Sequence, residues 1–323
     1  MTVDDCTVLV TGGTGSFGQK FVELVLKESR PKAIRVYSRD EWKQVQMQAR
    51  FNDPRLRFLI GDVRDRNRLS RALNGVDVVV HAAALKQVPT AEYNPIEAVR
   101  TNIEGAVNVI DAAIDNGVAR VISLSTDKAV HPVNLYGATK LVAEKLIVQA
   151  NSYSGPRETR FSVVRYGNVV GSRGSVVPVF RDQAMKGTLM VTDERMTRFW
   201  ITQEQAVRFI LRCVDRMRGG EIFVPKIPSM RVVDLAQAIA GNAKRKVVGI
   251  RPGEKLHEIL VTEEEAPRTR EFSDHFVIEP EQPFWTKNTL RGGKRVPDGF
   301  RYTSNGNTNW LTQAQLKAML RGV

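Results

Sequence analysis

The stretch "TVLVTGGTGSFG", residues 7 to 18, decides the fold. A short apolar and β-branched run, Thr7 to Thr11, enters a loop with glycines at positions 12, 15 and 18. This pattern predicts a buried strand, a tight turn that bares backbone N–H groups, and a helix whose N-terminus favours negative charge. A pyrophosphate is the ligand such a loop suits, and the strand before and helix after supply the context that makes the glycine spacing informative. Gly12, Thr14, Gly15, Ser16, Phe17 and Gly18 are the expected dinucleotide contacts.

The theme repeats downstream. "AIRVYS" (33–38), "LRFLIGD" (56–62), "DVVVHAA" (77–83), "ARVISLS" (119–125) and "RFSVVRY" (160–166) read as strands. They are nearly continuously hydrophobic, as strands buried on both faces should be. Amphipathic segments lie between them, at 17–28, 95–116 and 136–152. Alternating strand and helix predicts an α/β fold, a Rossmann-type doubly wound parallel sheet. After about Val170 the pattern loosens. "GSRGSVVPVF" reads as a loop into a helix, "TQEQAVRFILRCVDRM" as a helix ended by Gly219-Gly220, "SMRVVDLAQAIAG" as a helix capped by Ser229, and "RPGEKLHEIL" as a Pro-Gly turn then a helix. The expectation is an NADP-binding domain over 1–170 and a smaller C-terminal substrate-binding lobe over 171–323, with room for the chain to cross back, and a substrate site between them.

The bulk composition is that of a globular protein, with 42% hydrophobic and 26% charged residues over 323 positions. Cys6 and Cys213 stand far apart, which is neither a disulfide framework nor a metal spacing. Asp4 and Asp5 stand where a signal peptide would carry bases, and no run approaches a bilayer span, so a cytoplasmic protein without membrane contact is expected. The net charge of +13 is mostly scattered. From Phe284 to Val323 there are seven Lys or Arg against one acid, Asp298, but no nucleic-acid recognition signature accompanies them. An anionic cofactor and substrate explain the bases without nucleic acid.

The end of the second strand chooses the cofactor. An acid there would accept from a ribose 2′-hydroxyl and favour NAD. Here stand Ser38, Arg39, Asp40 and, one helical turn on, Lys43. Two cations and a hydroxyl suit the 2′-phosphate of NADP, while Asp40 counts against it unless it caps the next helix. Asp62 and Val63 follow the third strand, where a carboxylate could meet the adenine amine. Further on, Tyr136 and Lys140 fall on one face of a helix, one turn apart. A nearby ammonium lowers a phenol's pKa, so that Tyr136 can act as a base toward a sugar hydroxyl. The fifth strand ends in Leu124, Ser125 and Thr126, where the Thr126 hydroxyl could hold the substrate oxygen.

Through "TGGTGSFG", "HAAA" (81–84) and "YGATK" (136–140) the chain resembles the extended short-chain dehydrogenase/reductase family. "STDKA", "AALKQVPTAEYNP", "RYGNVVGSRGSVVPVF", "MTRFWIT" and "GIRPGEKLHE" together resemble the inverting UDP-N-acetylglucosamine 4,6-dehydratases, which make the first intermediate of pseudaminic acid. The likeness runs from about Thr7 to the C-terminus. It implies oxidation at C4 of the sugar, loss of water across C5–C6, and return of hydride to C6. The usual Asp-Glu acid–base pair of sugar-nucleotide dehydratases is Asp127-Lys128 here. The resemblance implies Lys128 as the C5 base and Asp127 as the acid for the departing hydroxyl. That demands a neutral Lys128 and a protonated Asp127, and a salt bridge between them would oppose both. It further implies cofactor contacts at Ala82, Lys86, Val169 and Arg173, and substrate contacts at Lys86, Asn168, Val176, Arg198, Arg251 and Glu254, with UDP on the last two. His81 and His131 read as structural. UDP-N-acetylglucosamine is the implied partner, and a homo-oligomer the implied assembly. A 4-epimerase on this fold would need Tyr136 and Lys140 but not Asp127-Lys128. An NADP-sensing scaffold would need neither pair.

Overall fold

The computed structural model describes residues 3–155, 158–172, 174–281, 285 and 292–321. Six strands form where the apolar runs predict them: β1 (Thr7–Thr11), β2 (Ala33–Ser38), β3 (Leu56–Ile60), β4 (Val78–His81), β5 (Arg120–Thr126) and β6 (Arg160–Tyr166). They pair in parallel in the order β3-β2-β1-β4-β5-β6. Val8, Leu9 and Val10 are fully buried, as the two covered faces of a doubly wound sheet require. The chain then returns to the same sheet. Ile222–Pro225 pairs in parallel with β6, and His275–Ile278, Thr269–Glu271 and Lys294–Arg295 extend it antiparallel to ten strands. A second apolar cluster, with Phe180, Leu189, Trp200, Met230, Leu235 and Leu316, lies in the later half.

Helix α1 (Ser16–Glu28) follows the glycine loop, and α2 (Glu41–Phe51) follows β2. The side chain of Asp40 caps α2 by accepting from the Lys43 backbone N–H at 3.0 Å. The segment expected as one helix over 95–116 is broken. Arg100–Glu104 is a π-helical turn between Pro95–Val99 and Gly105–Asp115. The turn faces Asn102 inward. Its amide donates to the Leu85 carbonyl at 2.9 Å and to Thr139 Oγ1 at 3.0 Å, and its oxygen accepts from the Leu85 N–H at 2.8 Å. One side chain thus ties the loop after β4 to the helix Leu135–Gln149, a frequent use of such bulges.

Two expectations for the later half fail. Ser229 does not cap a helix; Ser229–Arg231 is a strand paired with Thr197–Ile201, and the helix starts at Val232 with Arg231 as its uncapped boundary. Pairing with a neighbouring strand outweighs the local capping signal. "RPGEKLHEIL" forms a turn and then the strand Ile259–Val261, with no helix. Its backbone is held by distant partners instead: the Gly253 carbonyl accepts from Asn134 Nδ2 at 2.8 Å, and Ser304 N–H donates to the Glu258 carbonyl at 2.8 Å. Among the described residues no helix is long and apolar enough to cross a membrane.

At the carboxyl end of the sheet Thr11 and His81 form a clasp. Thr11 Oγ1 accepts from the N–H groups of Ala82 and Ala83 at 3.1 and 3.2 Å, and lies 2.8 Å from His81 Nδ1. The hydroxyl hydrogen therefore points to Nδ1, which must be an unprotonated acceptor. Burial, helped by the nearby Lys140, pushes the His81 pKa down from 6.5 to about 3. A neutral histidine in the fold and an ordinary one in the unfolded chain give a definite sign. Stability is whole above the unfolded pKa of 6.5 and is lost as pH falls toward 3, because the unfolded state binds the proton first. The thermal midpoint should therefore drop over this window, and His81→Asn should flatten part of that slope. An identical slope in the variant would remove the histidine from the account.

Candidate active site

The glycine loop, the ends of β1, β2 and β4–β6 and the start of the helix Leu135–Gln149 enclose a cavity of about 550 Å³. Gly12 sits at φ +65°, where an added Cβ would lie 3.0 Å from the backbone of Ala83, so the loop can pass beside β4 only without a side chain. Of the residues singled out in the sequence, Gly12, Thr14, Gly15, Ser16, Phe17, Ser38, Arg39, Asp40, Lys43, Asp62, Val63, Ala82, Lys86, Leu124, Ser125, Thr126, Lys128, Tyr136, Lys140, Asn168, Val169 and Val176 line this cavity. Gly18 lies beneath it, against Gly13. Arg173 falls outside the described residues. Asp127, Arg198, Arg251 and Glu254 are not in the lining, and Asp127 is fully buried. Arg251 is exposed, Arg198 is buried against the Thr197 and Leu256 carbonyls, and Glu254 keeps a buried Oε2 without a hydrogen bond.

At the rim the charges are paired. Asp40 takes Lys43 as an ion-pair partner. Asp62 accepts from Arg64 at 2.9 and 2.7 Å and lies 3.5 Å from Arg39, so its carboxylate is engaged by arginines. Arg39 itself remains 55% exposed at the cavity mouth. Deeper in, several buried polar atoms of lining residues have no hydrogen-bond partner: Thr101 Oγ1, Ser125 Oγ, Asn168 Oδ1, Ser175 Oγ and Trp200 Nε1. Unpaired buried polar atoms are costly unless a ligand meets them. Together with the glycine loop of Gly12 to Phe17, they fit a dinucleotide with a sugar beside it.

The reactive groups gather at the end of β5. The short turn Asp127–Ala129 packs against the N-terminus of Leu135–Gln149, and Gly137 makes this possible, since a Cβ there would lie 2.1 Å from the Lys128 carbonyl oxygen. Asn134 caps that helix by accepting from the Gly137 N–H at 2.7 Å. Tyr136 and Lys140 are both buried on the cavity wall. Burial pushes the Tyr136 phenol up to about 12, with Lys128 and the Thr126 hydroxyl pulling the other way. The expected lowering of the phenol by a nearby ammonium comes from Lys128, not from Lys140, and desolvation outweighs it. Burial brings Lys140 down to about 8, against the pull of Glu144. Lys86 is likewise lowered by burial and by Lys128.

The Asp127–Lys128 salt bridge is present, with Lys128 Nζ 3.1 Å from Asp127 Oδ1. A second carboxylate, Glu258, lies 3.4 Å away on the far side. Burial alone would strip the Lys128 proton, but Asp127 and Glu258 prevail and hold its pKa above the usual lysine range. The expectation of a depressed Lys128 is therefore overturned, because two buried anions outweigh desolvation. Asp127 is pushed up by burial and by Glu258, the direction its role as an acid needs. Its Oδ1 accepts from Thr126 Oγ1 at 2.9 Å, while Oδ2 is buried without a partner. Sequence reasoning missed Glu258, along with the lining residues Thr101, Tyr166, Ser175, Trp200 and Gln203. Glu258 does fall inside "GIRPGEKLHE", so a titratable residue in a motif of the resemblance was the available signal.

Residues 8–280 match the family of polysaccharide biosynthesis proteins. The UDP-N-acetylglucosamine 4,6-dehydratase (inverting) of Campylobacter jejuni is 53% identical over 318 residues, which cover 96% of this chain and 95% of that protein. The UDP-glucose 4-epimerase of Rickettsia conorii is 42% identical over 98% of this chain and 95% of its own. Among solved structures, the dTDP-glucose 4,6-dehydratase DesIV of Streptomyces venezuelae, with NAD and TYD bound, superposes with a TM-score of 0.69 at 26% identity, over 77% of this chain and 86% of that one.

Gly137→Ala tests the packing that brings Lys128 to the helix. The added methyl group should cost about 1–3 kcal/mol of stability in urea unfolding, as overpacked sites do. A variant as stable as the parent would show that the turn yields freely.

Proposed function

The chain belongs to the polysaccharide biosynthesis protein family, and from that premise we propose that it is a C5-inverting UDP-N-acetylglucosamine 4,6-dehydratase. The product is a UDP-2-acetamido-2,6-dideoxy-4-hexulose. One observation carries the reading: Lys128 lines the cavity together with Tyr136 and Lys140, and the fully buried Asp127 accepts from Lys128 Nζ at 3.1 Å. An epimerase needs only Tyr136 and Lys140.

Residues 1–170 hold the cofactor in this reading, and 171–323 supply the substrate side. The loop from Gly12 to Phe17 would hold a nicotinamide cofactor, which would supply the hydride acceptor for C4 and the hydride donor for C6. Tyr136 takes the proton of the C4 hydroxyl, and Lys140, charged below about pH 8, stands one helical turn away to stabilise the phenolate. Oxidation at C4 acidifies the C5 proton. Lys128 removes it as the C5–H bond breaks, and Asp127 gives its proton to the C6 hydroxyl, which leaves as water; as hydride returns to C6, C5 takes a solvent-derived proton on the opposite face and Tyr136 releases the C4 hydroxyl proton. The reactive form of the pair is the neutral one. It differs from the observed ion pair by one proton hop along the existing Nζ–H···Oδ1 hydrogen bond of 3.1 Å. The salt bridge is then the state in which elimination leaves the pair, and one hop resets it.

Asn168 and Val176, which line the cavity, are assigned to the sugar in this reading. Arg251 and Glu254 are assigned to UDP from beside it, on a turn that Asn134 fastens to the head of the catalytic helix. NADP is the preferred cofactor in this reading, supported by Arg39 and Lys43 at the rim and by the use of Asp40 as a helix cap. Self-association is supported by the exposed Tyr93, Ile96 and Val142 on neighbouring helices.

Lys128→Ala should separate the half-reactions. Reduced nicotinamide should accumulate by absorbance while appearance of the C6 methyl group in NMR slows by roughly 10²–10⁴. In D₂O the parent should take up deuterium at C5 with inverted configuration. Normal elimination by the variant would assign the base elsewhere, and retention at C5 would end the inverting assignment.

Arg39→Asp should move the preference from NADP toward NAD in binding titrations. Equal affinity for both in the parent, unchanged by the substitution, would remove the rim cations from the choice.

A further inference from the structure

Behind Lys128, away from the cavity, lies a buried carboxylate that the reaction as described does not use. Glu258 is 2% exposed and outside the cavity lining. Its backbone is fixed at both ends, because its N–H donates to Ser304 Oγ at 2.9 Å and its carbonyl accepts from the Ser304 N–H at 2.8 Å. Ser304 Oγ is itself 2.6 Å from Thr197 Oγ1. The side chain faces three cations from separate elements: Lys128 at 3.4 Å, Arg198 at 3.6 Å and Lys255 at 3.8 Å. These cations outweigh burial and hold the Glu258 carboxyl below its ordinary range, so it stays ionised while Asp127 exchanges a proton.

Resting on the dehydratase reading, we propose that Glu258 is a positioning residue of the elimination step, a carboxylate that anchors Lys128 against Asp127. The anchor is needed when the pair is neutral. Once Asp127 carries the proton, its attraction for Lys128 is an ordinary hydrogen bond, and Glu258 is the charge that still fixes the amine. Its negative charge also favours the proton on both Asp127 and Lys128, in opposition to Arg198 and Lys255. The remaining titratable groups near the pair, Lys86 and Tyr136, lie on the cavity side, and His257 lies beside Arg198. None of them replaces a carboxylate at Lys128 Nζ.

Glu258→Gln keeps the shape and removes the charge. The acid limb of the kcat–pH bell reports Asp127, whose pKa falls when the neighbouring anion is lost, while the alkaline limb reports Lys140 near pH 8. The acid limb should therefore move to lower pH, by about one unit or more, with the alkaline limb in place. Maximal kcat should fall about tenfold or more, with reduced nicotinamide accumulating and KM nearly unchanged, because a weaker and looser amine is a poorer base. An unmoved acid limb, or an equal loss of C4 oxidation and elimination, would overturn the proposal. If the Gln variant does not fold, Glu258→Asp keeps the charge and shortens the reach; its elimination should be slow with the bell in place, and full activity would overturn the proposal. The side-chain NMR titration of Lys128, assigned with Lys128→Arg, reads the anchor without turnover. The parent amine should hold its proton above the usual lysine range, and an ordinary midpoint there would also overturn it. A parent protein that makes no 4-keto sugar from UDP-N-acetylglucosamine fails the functional reading instead, and the NMR titration still decides the role of Glu258.

Discussion

A lysine buried between two carboxylates is the constraint on which the site depends. Lys128 is the middle residue of the turn after β5, Asp127 is its neighbour in sequence, and Glu258 arrives from the later half of the chain. Taking three charges from water is expensive, and buried ion pairs often fail to recover the cost against an apolar core. Such a cluster is weak evidence for stability and better evidence for a chemical task. Its charges are matched only because the later half is in place: Arg198 and Lys255 accompany Glu258, and Lys255 also donates to the carbonyls of Asp127 and Val130. The later half of the chain thus completes the charge cluster around Lys128.

A second buried cluster repeats the device on the other side of the catalytic helix. Arg165 on β6 is 2% exposed and pairs with Glu144 and with Glu265, the latter at 2.9 Å. Glu144 follows Lys140 by one helical turn, the distance at which it would otherwise be the natural partner of that ammonium. Because Glu144 is committed to Arg165, Lys140 is left with burial dominant and a pKa near 8. A lysine with an uncommitted carboxylate beside it would stay charged at any working pH and would lean toward that partner and away from the cavity.

The first half of the fold was legible because its signals are local. Apolar runs bounded by turn residues place all six parallel strands within two residues at each end. The glycine loop, Tyr136 and Lys140 are likewise set by short-range spacing, and the cavity gathers them. The later half was not legible in the same way. Ser229 looks like a helix cap in isolation, yet its N–H donates to the Asn309 carbonyl at 2.8 Å and its carbonyl accepts from Leu311 at 2.9 Å, partners no local pattern reveals. Glu258 was invisible for the same reason: its contact with Lys128 spans 130 positions. The protonation states were the least legible of all. Residue types name an acid and a base, but whether Lys128 holds its proton depends on the number of anions the fold brings to it.

That dependence changes how the salt bridge should be weighed. From sequence, an Asp–Lys ion pair opposes a mechanism that needs both groups neutral. In the fold, the two descriptions are one hydrogen bond apart, at 3.1 Å, inside a site where burial penalises the charged form of each. An ion pair and a neutral pair carry the same number of protons, so interconversion needs no exchange with solvent. In the proposed reaction, elimination consumes the neutral pair and leaves the ionic one, and the hop restores it. What the surrounding charges must do is keep the two forms close in free energy. Glu258 alone would favour the charged lysine too strongly, and Arg198 and Lys255 temper it. The five-residue cluster is therefore better understood as a balance than as a bond, since strengthening either sign would trap the proton on one partner and stop the cycle.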